Sequence, residues 1–290
     1  MISIIIPVLK RDAFLDECLK SVGADPDVQV IVVEGVCPVG EARNRGLAQV
    51  RGEWVMFVDG DDVLAEGWLQ AVRELMRRHP DAELIGFGAT QDLPLEKCAL
   101  SGSELLDLSK TLPTTVVERL MCQLVYRKEL LRGLAFTDLV RGEDRLFMGE
   151  ALLRAKHAAI GDSVIYGYRQ HAQSAMHRVG NEQDLRDEVE WRVRWAREVC
   201  SSEKTLTSRS WRNLGLYLLE YFNFQLSQVV ERDARKRLQA FWLDRLGEGS
   251  GMGFRPWQRF VMWLLSWTRS RLLTWALCRV PFGIKRWLHR

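Results

Sequence analysis

Apolar and polar positions alternate along the first ninety residues with two different periods. Ile2-Ser3-Ile4-Ile5-Ile6 is a β-branched run that reads as a first strand ending at Pro7, which cannot donate a ladder hydrogen bond. Phe14, Leu15, Cys18, Leu19 and Val22 then recur at helical spacing, with Asp12 placed to cap. Asp25-Pro26-Asp27 turns the chain into a second strand, Val28 to Val33, and Pro38 opens a short helix through Leu47. Trp54 to Val58 is apolar at every position, as a strand covered on both faces must be, and reads as a central strand of a parallel sheet. A helix from Glu66 to Arg78 is stopped by His79-Pro80, and a strand follows near Leu84 to Ala89. Alternating strand and helix predicts an α/β sheet wound with right-handed crossovers.

From Thr90 to Pro113 the pattern weakens. Ser101-Gly102-Ser103-Glu104 resembles a capping box and predicts a short helix through Leu108. Thr115 to Leu130 predicts a helix leading into a strand at Cys122 to Tyr126, and an amphipathic helix spans Arg145 to Ala155. Val164 to Arg169 is strand-like, and Gln170 to Ser174 is loop. Beyond about Asn181 the pattern is almost wholly helical.

The chemistry concentrates where the central strand ends, in Asp59-Gly60-Asp61-Asp62. Ligands of open α/β sheets sit outside the carboxyl ends of the strands, where these acids fall. Clustered carboxylates repel unless a cation neutralises them, and oxygen donors of this kind suit a hard ion such as Mg²⁺ or Mn²⁺ that shares its shell with phosphates. An acidic turn that caps the next helix is the plainer alternative.

Five segments in order carry a resemblance: Ser3 to Pro7, Ala42-Arg43-Asn44-Arg45-Gly46-Leu47, Phe57 to Asp62, Gly142-Glu143-Asp144-Arg145, and Tyr166-Gly167-Tyr168-Arg169-Gln170-His171 with Ser174 and Met176. Together they resemble the inverting family 2 glycosyltransferases of the GT-A fold, most closely the bacterial polysaccharide and lipopolysaccharide type. The resemblance covers roughly the first 180 residues. It implies a Rossmann-like, mostly parallel sheet flanked by helices in residues 1–180, with the acceptor site within 90–137. It implies a nucleotide-sugar donor, UDP-linked, a glycan or glycolipid acceptor, and Mn²⁺ or Mg²⁺ as cofactor.

Carried over residue by residue, the resemblance puts Asp61 on the metal and Asp59 toward the donor ribose or the metal's outer shell. Asp62 either joins them or caps the following helix. Pro7 and Val8 fall beside the donor, and Asp144 matches the base that takes the acceptor proton. His171 is a third metal ligand, a diphosphate contact, or a surface loop histidine. Arg43 and Arg169 each admit two readings, phosphate contact or ion-pair partner of the acidic cluster. One departure stands out: Val33-Glu34-Gly35-Val36-Cys37-Pro38 runs almost directly into the next helix, where family members carry a further turn, helix and edge strand. Glu34 then stands in for the Asp that reads the nucleobase.

Composition sharpens one end of the chain. The net charge is +3, yet no Asp or Glu follows Glu248, while eight Lys and Arg do, so the remainder is net acidic. Five of the 11 tryptophans also lie there. Between Arg255 and Ser270, Trp257, Phe260, Val261, Leu264 and Trp267 share one helical face and the arginines the other. Such a stripe fits either an interfacial helix on an anionic leaflet or an ordinary helix packed on the catalytic domain. The expectation is a helical region over 181–290 whose last part, about 254–290, associates with the membrane. That would place the protein in the cytoplasm, peripheral on the inner face of the cell membrane.

The apolar start, Ile2 to Leu9, is too short for a span and reads as a strand rather than a signal peptide. Six scattered cysteines without a C-x-x-C pair speak against structural zinc and for a reducing compartment. No nucleic-acid recognition motif is present. A nucleotidyltransferase would need a glycine-rich basic loop after the first strand, and Pro7 to Asp12 has no glycine. A catalytically degenerate relative, retained as a membrane-bound scaffold, is the competing class.

Overall fold

A computed structural model of the protein describes residues 1–90, 103–107, 121–139, 142–170, 181–201, 225–226, 229 and 231–247. Eight strands form one mixed sheet: β1 (Ile2–Val8), β2 (Val28–Glu34), β3 (Trp54–Phe57), β4 (Val63–Leu64), β5 (Leu84–Thr90), β6 (Ser103–Asp107), β7 (Leu124–Arg127) and β8 (His157–Gly167). Their order is β2-β1-β3-β7-β5-β8-β4, with β6 paired to β8 off that path. The β1–β2, β1–β3 and β5–β8 pairs are parallel, and β7 runs antiparallel to both β3 and β5. The expected GT-A-type α/β sheet is present, with more antiparallel pairing than a mostly parallel sheet implies.

All four residues of β3 are buried, as its unbroken apolar run requires for a strand between β1 and β7. Strand β1 does not stop at Pro7 but continues to Val8, in register with Glu34 of β2. The amide of Val58 donates to Ile5 O, so the odd-numbered residues of β1 present their backbone groups to β3. At Pro7 that neighbour has already ended, and no ladder donor is needed there.

Helices α1 (Ala13–Val22), α2 (Val39–Leu47), α3 (Trp68–Arg78) and α4 (Glu143–Arg154) accompany the sheet. Asp12 caps α1, its Oδ1 accepting from the amide of Leu15 at 3.1 Å. Helix α3 buries Trp68, Leu69, Val72 and Leu75 against the sheet core. Phe57 of β3 meets Phe136 and Phe147 edge-on, and those two rings stack 3.9 Å apart, which ties α4 to the end of β3.

Two expectations are corrected. Ser103–Asp107 is strand β6, antiparallel on β8, not a helix begun by a capping box, because a five-residue segment with an open ladder beside it gains more from pairing than from one helical turn. The helix expected to run through Leu130 is replaced by two short 3₁₀ turns, Met121–Gln123 and Lys128–Leu131, on either side of β7. Residues 115–120 lie outside the described residues.

The chain divides into two compact units, with Met1–Arg178 in the first and the chain from Val179 mainly in the second. Described parts of the second are α5 (Glu182–Ser201), α6 (Arg232–Gly247) and a short piece at Gln225 and Leu226. Val189, Leu238 and Trp242 are buried there, and Gln225 bridges Glu188 Oε2 and the Trp242 indole. No helix among the described residues is long and apolar enough to cross a membrane. Residues 254–290, on which the membrane expectation rests, lie outside them.

Candidate active site

The carboxyl ends of three neighbouring strands bring Val8, Glu34 and the Asp59–Asp62 loop to one edge of the sheet. Gly60 sits so close to β1 that a Cβ would lie 2.2 Å from Val8 Cγ1, so the loop can turn here only without a side chain. The three carboxylates of this loop then take different directions.

Asp62 turns inward and is buried. Its Oδ2 accepts from the Tyr166 hydroxyl at 2.5 Å and its Oδ1 from the amide of Arg169 at 2.8 Å. Tyr166 Oη in turn accepts from the amide of Asp59 at 3.2 Å, so β8 straps the loop at two points. Burial, and next the charge of Asp59, push the Asp62 carboxyl up to about 8. Asp62 is therefore not the cap of α3, whose first turn begins at Trp68 behind Gly67.

Asp59 keeps about a third of its side chain exposed (36%) and meets Arg43, whose Nη2 donates to Oδ1 at 2.8 Å. Burial, Asp61 and Asp144 raise the Asp59 carboxyl against the lowering pull of Arg43. Asp61 is half-buried, and its carbonyl accepts from Arg169 Nε at 3.0 Å.

Arg43 is almost fully buried, at 4% exposure. Its second arm, Nη1, donates to Glu143 Oε1 at 2.6 Å. Burial alone would lower the guanidinium, but Asp59, Glu143 and Asp144 reverse that and hold it firmly protonated. Of its two readings, this geometry favours the ion pair over a phosphate contact, since both terminal nitrogens are committed to carboxylates. Arg169 likewise pairs with a carboxylate, Glu17, and its guanidinium lies over the ring of Phe14 at 4.6 Å. It holds the acidic loop through backbone and side chain at once.

On the opposite side, α4 starts with Glu143 and Asp144. Glu143 is buried, and burial followed by the Asp144 charge pushes it up to about 7. Asp144 is half-buried, and its Oδ1 accepts from the amide of Arg145 at 2.8 Å, at a helix start where backbone N–H groups favour an anion. Glu34 is exposed and pairs with Arg11 at 3.2 Å, on the same sheet edge as Val8 but without a bond to the acidic loop. Pro7 is buried in β1. His171 lies outside the described residues.

Helix α2 places Arg43. A Cβ on Gly40 would lie 2.3 Å from the carbonyl of Thr137, and Asn44 exchanges two hydrogen bonds with the backbone of Phe136, at 2.9 and 2.8 Å. Sequence reasoning did not single out Tyr166, Glu143 or Asn44 as working residues. Their signal was available in part: Gly40, Arg43 and Asn44 fall on one helical stripe, an unusual composition for a buried face.

Among the described residues, no three His, Cys, Asp or Glu side chains gather to hold a metal ion. The chemistry of the donor set nonetheless fits a hard divalent ion of the kind bound by one or two carboxylates and completed by substrate phosphates, and Asp61 and Asp59, in the loop after β3, are the residues that would hold it.

Known proteins resemble the chain in sequence and in fold. The profile of Glycosyl transferase family 2 matches residues 38–97, which contain α2, β3 and the whole acidic loop. A Bacillus subtilis (strain 168) protein described as an uncharacterized glycosyltransferase, EpsJ, is 24% identical over 215 residues. That match covers 60% of this chain and 62% of EpsJ, so the chain spans less than two thirds of this relative. Among solved structures, S. aureus TarS 1–349 in complex with UDP-GlcNAc matches with a TM-score of 0.68 at 20% identity, over 85% of this chain and 80% of that one. The same protein in complex with UDP matches with a TM-score of 0.61 at 16% identity, over 95% and 90%.

Proposed function

We propose that the chain, which carries a family 2 glycosyltransferase match over residues 38–97 and has the GT-A fold, moves a sugar from a nucleotide-sugar donor to a glycan or glycolipid acceptor. The donor is UDP-linked and the product belongs to bacterial surface polysaccharide or lipopolysaccharide synthesis. The observation that carries the reading is the pairing of an acidic loop at the end of β3 with a second carboxylate pair at the start of α4, joined through Arg43. The solved structures of the TarS relative with UDP-GlcNAc and with UDP support the choice of donor.

Asp61, with Asp59 beside it, holds a divalent cation, Mn²⁺ or Mg²⁺. Such an ion, when bound, offsets the charge that builds on a departing diphosphate. Val8 and Glu34 line the donor side of the same sheet edge. Asp144 takes the proton of the attacking acceptor hydroxyl, and a single carboxylate base goes with inversion at the anomeric carbon. The basic, tryptophan-rich C-terminal region holds the enzyme at the inner face of the membrane.

The test is calorimetric titration of UDP into wild type and Asp61→Ala, with Mn²⁺ and with EDTA. Metal-dependent binding that is lost in Asp61→Ala is the expected result. Absence of UDP binding by wild type under both conditions would overturn the UDP assignment. Binding indifferent to EDTA would overturn the metal assignment.

A further inference from the structure

The loop at the end of β3 and the first turn of α4 each carry carboxylates, and the fold brings them together from positions more than eighty residues apart in sequence. Left alone, the two acidic groups would push each other away. The cation between them is Arg43, and little in its surroundings allows it to move. Its guanidinium lies 5.4 Å from the centre of the Phe136 ring, and that residue's backbone is pinned by Asn44 from the next position of the same helix. Gly40, one turn earlier, is in tight contact with Thr137, so α2 cannot rock toward that segment. On its far side, α2 rests on β1 at Gly46, where a Cβ would lie 2.4 Å from Ile5 Cγ2. The helix is wedged, and its arginine reaches one arm to each acidic group.

We propose that Arg43 is a positioning residue that makes the Asp59–Asp62 loop and the start of α4 one mechanical unit, with Glu143 as the contact through which a change on the base side reaches the donor side. The proposal rests on the reading of Asp59 and Asp61 as donor-side residues and of Asp144 as the base. Its physical basis is the planar fork of the guanidinium, which satisfies two carboxylates in fixed directions where an ammonium could satisfy them only as a point charge. Glu143 is adjacent to Asp144 in the first turn of α4, so its side-chain position is tied to that of the base. Removing the Glu143 carboxylate leaves Nη1 of a buried cation without this partner. Arg43 then re-aims, and its grip on Asp59 is lost.

Amide hydrogen exchange on the full chain, free of nucleotide and metal, tests this. The amides of Asp59 and Asp62 are held by Tyr166 Oη and Asp59 O, and report directly on the loop. In Glu143→Ala these two amides are expected to exchange about ten-fold faster than in wild type, while those of Ile4 and Met56 keep their rates. Glu143→Gln retains an oxygen for Nη1 and is expected to restore slow exchange at the loop. Arg43→Lys, which keeps the charge and loses the fork, is expected to accelerate exchange as Glu143→Ala does, and it serves where the alanine variant fails to fold. Wild-type rates at Asp59 and Asp62 in both Glu143→Ala and Arg43→Lys would overturn the proposal. So would an acceleration spread evenly over all protected amides, or a Gln variant as fast as Ala. Because no nucleotide enters the measurement, its failure is distinguishable from failure of the UDP titration.

Discussion

The Tyr166 hydroxyl donates to Asp62 at 2.5 Å while accepting from the amide of Asp59, so one buried phenol fixes both ends of the acidic loop. Its own ionisation is pushed up by burial first, then by Cys122 and the carboxylates of Asp59 and Asp62, so it stays a donor to Asp62. Tyr166→Phe removes both bonds without changing the ring. It leaves a buried carboxyl short of a donor and an amide short of an acceptor. The expected loss is about 1–3 kcal/mol of stability for a buried polar group left unsatisfied, read from urea denaturation. A variant as stable as wild type would show that the strap is dispensable.

Glu143 sets a pH dependence. Its carboxyl is raised from 4.5 to about 7 by burial and by Asp144. A group whose folded value is raised keeps its proton in the folded chain where the unfolded chain has already released it. Stability is therefore fullest below pH 4.5 as far as this group is concerned, and falls as pH climbs toward 7. Asp62, raised from 3.8 to about 8, acts in the same direction over its own window. In EDTA, the denaturation midpoint of wild type is expected to fall between pH 5 and pH 7, with a slope of at most about 1.4 kcal/mol per pH unit for each group. Glu143→Gln should remove its share and leave that of Asp62. An unchanged slope in that variant would contradict the assignment.

Asn44 gives a second stability prediction, independent of charge. Its amide serves Phe136 as a strand neighbour would, donating to the carbonyl and accepting from the N–H. Asn44→Ala strips both, at about 1–3 kcal/mol for each backbone group left without a partner. Asn44→Asp keeps the acceptor and should recover roughly half of the loss. Urea denaturation of the two variants against wild type decides it.

These residues also show what was legible in the chain. The buried β3 followed by acids was readable because a strand covered on both faces leaves an unbroken apolar run, and Asp12 was readable because a cap acts locally. Strand β6 was misread because Glu104 to Asp107 gains its pairing from β8, fifty or more residues later, while the capping-box pattern is satisfied within four. Arg43 was picked out and its two roles stated, but the choice between them depends on Glu143, a hundred positions away. Asp62 was grouped with its neighbours because sequence shows adjacency and not direction. Only the fold turns one of three adjacent carboxylates inward.

Catalysis separates Asp144 from its neighbour. On the proposed reading, Asp144→Asn lowers kcat by about 10²–10⁴, the contribution of a positioned general base, while UDP affinity stays within about two-fold. Steady-state transfer assays combined with the UDP titration check both halves. Equal losses in affinity and turnover would place Asp144 on the donor instead.

The antiparallel strand β7, lodged between β3 and β5, also bears on how the site comes into being. Strands β1 to β3 and both intervening helices lie within the first sixty residues and can assemble through short-range contacts. Tyr166 and Arg169 reach the acidic loop across sequence separations of 104 to 108 residues, and Glu143 reaches Arg43 across 100. Contacts of that separation require large loops to close and form late. A fragment ending at Thr90 would contain Asp59, Asp61 and Asp62 and still lack Tyr166, Arg169 and Glu143, the side chains that shape them. The acids are encoded early in the chain, but their arrangement is the last thing folding supplies.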